Sequence, residues 1–174
     1  MIFVVISALL VIPVEKVKSQ NATITEVSAT ALLSIVVVVP ITARETSQLS
    51  FGRFFPGRSG GTITVSPGGN VMTTSEVVLA SSGTSAGSFA VSGQGDATYA
   101  INLPGGGATL MREGDSKTME VNDWVTIPEN GDAHLRLIGG SQTVWLGATL
   151  RVGSLDQNPK GKYTGSYEIT FGYN

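Results

Sequence analysis

The chain has no cysteine and a single histidine among its 174 residues, which removes disulfide scaffolds and thiolate metal sites from consideration. Charged residues make up only 14%, the net charge is -2, and no basic run occurs. That leaves no electrostatic footprint for a nucleic acid. Outside the first residues little of the sequence has helical periodicity, and no 20–50-residue repeat is evident, which excludes solenoids and propellers. What remains is rich in Gly, Ser, Thr and Val. Short alternating runs are separated by Gly, Pro, Asn and Asp, the pattern of an all-β sandwich or barrel.

The N-terminus sets the expected organisation. Ile2 to Val14 is almost wholly apolar, about 13 residues, too short to span a bilayer but suited to the apolar core of a signal peptide. Val17-Lys18-Ser19 has small or apolar residues at both key positions of a cleavage site, so residues 1–19 are expected as a helical signal peptide and Gln20 as the mature start. The atypical flanks, with Lys16 and Lys18 after the apolar run, keep open a retained strand or helix. From Val27 to Ile41 every odd position is apolar. As one strand these residues would reach roughly 45–50 Å, far beyond a typical strand of about 20 Å. The expectation is therefore a split: residues 20–33 as an apolar arm, and Val36 to Ala43 as the first strand of a domain spanning 34–174.

Within that domain, Thr62 to Ser66, Val77 with Leu79, Phe89 with Val91, Tyr99 with Ile101 and Leu103, and Val144 to Val152 read as strands; Ser81 to Gly87 reads as a loop. Met119, Val121, Val125 and Ile127 are expected on one face, and Ala133, Leu135 and Leu137 on another. The last stretch alternates: Tyr163, Gly165, Tyr167, Ile169, Phe171 and Tyr173 against polar partners. A closing apolar strand needs a partner for its edge. The arm offers one, through Val27, Ala29, Ala31 and Leu33, with Ile24 less regular in register. Docking into the arm's own sheet and docking into a neighbouring copy both satisfy that edge.

Strand phase places Trp124 and Trp145 outward, with His134 and Arg136 between them. Together these form a candidate surface for a sugar, for a neighbouring subunit, or for simple packing. Catalysis has little support. His134 and Asp132 lack an identifiable nucleophile, the Gly-rich stretches do not open a helix, and the carboxylates are scattered. A cation at Glu129 and Asp132 is less economical than turn chemistry. No metal and no cofactor is expected.

The order of motifs carries a resemblance. Pro40-Ile41-Thr42, Leu49-Ser50-Phe51-Gly52, Thr62 to Pro67, Gly87 to Gly93, Gly147 to Gly153 and Gly161 to Tyr167 follow one another as in the secreted bacterial family called domain of unknown function 4402. That family is similar in plan to archaic chaperone–usher pilins of the spore-coat-U type. These are immunoglobulin-like antiparallel sandwiches lacking one strand. Tyr173 is penultimate and Gly161 fourteenth from the end, matching the pilin pattern, whereas the absent cysteine pair departs from it. The resemblance implies a head-to-tail polymer of this chain in a surface fimbrium, exported through the periplasm with a chaperone and an outer-membrane usher. Tyr163, Tyr167, Ile169, Phe171 and Tyr173 would form the acceptor or chaperone-binding strand. The alternative is a monomeric secreted binding module, for instance for a host or surface glycan.

Overall fold

The computed structural model describes residues 32–131 and 135–174, within which the protein is all-β. The expected signal peptide and most of the expected arm, including Ile24, Val27, Ala29 and Ala31, lie outside the described residues. The chain divides into two units, Met1–Val36 and Val37–Asn174. Of the first, the described residues 32–36 have no regular secondary structure.

The second unit contains β1 (Thr42–Ser47), β2 (Ser50–Phe55), β3 (Gly61–Val65), β4 (Val71–Thr73), β5 (Val78–Ser85), β6 (Gly87–Ser92), β7 (Tyr99–Asn102), β8 (Ala108–Arg112), β9 (Thr118–Ile127), β10 (Ser141–Val152), β11 (Tyr163–Thr164) and β12 (Thr170–Tyr173). They form a curved, partly closed antiparallel sheet ordered β1-β6-β10-β9-β8-β11, with β3 also on β10 and β4 on β3. Two ribbons, β12–β7 and β2–β5, stand apart from it.

β10 is the axis of this arrangement. Its residues Ser141 to Leu146 pair with β6, and Ala148 to Val152 pair with β3. Because β9 spans both halves from Trp145 to Arg151, β6 and β3 must share the opposite edge. The alternation legible in β10 is realised: Val144, Leu146, Ala148, Leu150 and Val152 are all buried. They feed two core clusters. One gathers Ile63, Val65, Met119, Val121, Ala148 and Leu150; the other gathers Phe89, Val91, Tyr99, Ile101, Leu137, Val144 and Leu146.

Four expectations are corrected. The first strand begins at Thr42 rather than near Val36, and residues 32–41 belong to no strand. Pro40 has no N–H to give a ladder, which is a physical reason for pairing to start beyond it. Ser81 to Gly87 is not a loop, because β5 runs through Ser85 against β2 and leads directly into β6. Leu135 and Leu137 are buried as expected, but only an isolated bridge, Thr98 to Arg136, stands where a strand was anticipated.

The fourth correction concerns β9. Met119 and Val121 face the core, but Val125 and Ile127 are exposed while Thr126 is buried. Asp123 has a φ of 52°, and the β9–β10 register shifts between Gly147 and Thr149. One extra residue in β9 inverts the alternation beyond it. Sequence periodicity alone does not reveal that insertion.

Candidate functional site

The C-terminal stretch keeps its alternation but not its continuity. Tyr163 and Thr164 pair with β8, residues 165–169 are unpaired, and Thr170–Tyr173 pairs with β7 in the register Phe171 to Ile101 and Tyr173 to Tyr99. Gly165 sits where a side chain would meet the backbone of Thr109, which explains a glycine between the two pairings. Among the described residues β12 has a partner on one edge only.

The face beneath that edge is apolar and only half covered. Tyr167, Ile169, Phe171 and Tyr173 are each half-buried and pack on the cluster that contains Phe89 and Tyr99. Phe171 lies 5.7 Å from Phe89 and 6.3 Å from Tyr99, ring centre to ring centre. Tyr163 packs on the other cluster and donates its hydroxyl to the Pro159 carbonyl at 2.9 Å. Gly87 marks the floor near Tyr167: a Cβ there would lie 3.4 Å from the Tyr167 hydroxyl and 3.5 Å from Leu49 Cβ.

Two tyrosines at this site are held differently. The Tyr167 hydroxyl is buried without a hydrogen-bond partner. Desolvation, with a smaller push from Glu45, raises its pKa to about 12. The Tyr173 hydroxyl accepts from the Gln94 N–H at 2.6 Å and donates to the Val39 carbonyl at 2.7 Å. Val39 in turn donates its N–H to Gln94 Oε1 at 3.3 Å. Gly93 belongs to this arrangement, since any Cβ there would strike the Tyr173 hydroxyl.

Upstream of that anchor the chain is apolar and bare. Leu33 is 99% exposed, Ile35 and Val37 are 87% exposed, and exposure drops to 54% at the tethered Val39. Large aliphatic side chains in such number are rarely left in water by a protein that has no use for them.

Among the described members of the expected surface of Trp124, His134, Arg136 and Trp145, Trp124 does not share the outward face of Trp145. The inversion in β9 turns Trp124 inward, where it touches both core clusters and stacks on Tyr167 at 5.0 Å. Its Nε1 donates to the Gly106 carbonyl at 3.2 Å, so it is packed under a loop. Arg136 is spent on Asp96, with Nε to the carbonyl at 3.0 Å and an ion pair at 3.4 Å. His134 and Asp132 lie outside the described residues. Trp145 does face outward, 44% exposed, opposite Ile127. These two, with Pro67, Gly68, Ser47 and Ala86, line an open cleft of about 320 Å³. Among the described residues no cluster of three His, Asp or Glu side chains is assembled to hold a metal.

Sequence reasoning placed Gly87 and Gly93 in a family motif but gave neither them nor Gln94 a role at this site. A polar residue in a turn, or a glycine at a strand end, carries no pattern until its neighbour in space is known. Residues 41–173 match the family described as Domain of unknown function (DUF4402). No curated protein matches the chain.

Proposed function

We propose, for a chain that belongs to the DUF4402 family, a structural subunit of a bacterial surface fibre that assembles by lending its N-terminal arm as a strand to a neighbouring subunit. On this reading the domain is an immunoglobulin-like sandwich short of one strand, and the β7–β12 ribbon borders the gap. The observation that carries it is a pair of complementary deficits. Among the described residues, the aliphatic side chains from Leu32 to Val37 are at least 83% exposed, and β12 has an unpaired edge above half-buried aromatics.

An added strand satisfies both deficits, because main-chain hydrogen bonds supply affinity while alternate side chains fill the gap. Burying a Leu, Ile or Val side chain is worth about 1.5–3 kcal/mol. Three of them offset part of the entropy lost in ordering the arm, and the backbone bonds add to that. The subunit would be exported and displayed at the cell surface, with a chaperone and an usher as assembly partners. It needs no cofactor and performs no catalysis on this reading. The test is the assembled state: purified protein should give a ladder in SDS that collapses on boiling. A strictly monomeric protein would sink the proposal.

A second reading, a secreted module that binds a glycan, draws on Trp145 and its cleft. An exposed indole beside serine and glycine suits the apolar face of a sugar. If Trp145→Ala abolishes glycan binding by a monomeric protein, that reading takes precedence.

A further inference from the structure

We infer that the part of the arm inserted into the neighbour is Leu33 to Val37, not the stretch upstream of it. This rests on the strand-donation reading and narrows it.

Exposure sets the downstream limit of the segment. Leu32, Leu33, Ile35, Val36 and Val37 are all at least 83% exposed, whereas Val38 and Val39 are at 54%. The break falls where Tyr173 and Gln94 grip Val39. Val39 therefore stays with its own subunit, and the segment free to leave begins just before it.

Composition agrees. If residues 24–33 were inserted instead, Ser34-Ile35-Val36-Val37-Val38 would be the connector between subunits, with four of its five side chains aliphatic and wet. Connectors are polar or small for the opposite reason. The phase also follows. Leu33, Ile35 and Val37 share one face of an extended strand, and Ser34 lies on the other. The uniformly apolar face is the one that suits the half-covered row Tyr167, Ile169 and Phe171. Consecutive β-branched valines favour the extended backbone that such a strand requires.

The experiment compares four single substitutions in the full chain, Ile35→Asp and Val37→Asp against Val27→Asp and Ala29→Asp, scored by the boiling-sensitive SDS ladder. Ile35→Asp and Val37→Asp should reduce polymer at least tenfold, while the upstream pair should stay within twofold of the unaltered chain. Both downstream side chains are 87% exposed in the subunit, so thermal melts should show its fold intact. Hydrogen exchange should find the amides of residues 33–37 protected in polymer and open in monomer. Loss confined to the upstream pair, or loss with all four, overturns this register and leaves strand donation standing. An unaltered chain with no ladder, or four variants that all polymerise normally, removes strand donation and this inference with it.

Discussion

Tyr99 and Tyr167 have phenols pushed up to about 12 by burial, and the direction fixes a pH dependence. A phenol whose folded pKa lies above its unfolded value near 10 contributes stability that is intact below about pH 10. That contribution is lost as pH rises through about 12. Urea midpoints should therefore be flat through neutral pH and fall between about pH 10 and 12, with a shallower fall in Tyr167→Phe. Tyr167→Phe should otherwise hold or gain up to about 1 kcal/mol, because it deletes a buried hydroxyl without a partner. Gly93→Ala acts in the opposite direction. Its methyl displaces the Tyr173 hydroxyl, which breaks the link to Val39 and costs about 1–3 kcal/mol by chemical denaturation. Tyr173→Phe removes the same link without the clash and should cost about 1 kcal/mol.

The elements show which features of this fold were legible in the sequence. Alternation in β10 and in the C-terminal stretch gave the right faces, because one side of β10 is buried and one side of the C-terminal stretch is half-buried on the core. Alternation in β9 failed beyond Asp123, because a single left-handed residue changes the phase and Asp is one of the few residues that adopt it readily. That residue decides the fate of Trp124, which moves from a surface candidate to a bridge between the two core clusters. Deleting Asp123 should remove the extra residue and leave Met119, Val121, Trp124 and Thr126 in one continuous inward phase, so the indole emission should stay where it is in the unaltered chain; a red shift would show that Asp123 is not the inserted residue. The inversion also buries the Thr126 hydroxyl without a partner. Thr126→Val should accordingly raise stability by about 1 kcal/mol in thermal or urea melts. The boundary between arm and domain was illegible for a different reason. Odd positions are apolar on both sides of Pro40, and only the three-dimensional pairing shows that the ladder begins at Thr42.

For the molecule as a whole, the proposed donation, in which Val39 stays at home and the residues before it are given away, would make a contact that need not close on itself, which is the condition for a filament. The hydroxyl of Tyr173 then has a mechanical meaning. It sits at the end of β12, the strand proposed to receive one neighbour, and it holds the root of the arm proposed to enter the next. Traction along such a filament would divide between the covalent path through Pro40 and Ile41 into β1 and the phenol of Tyr173, which couples the root of the arm to β12.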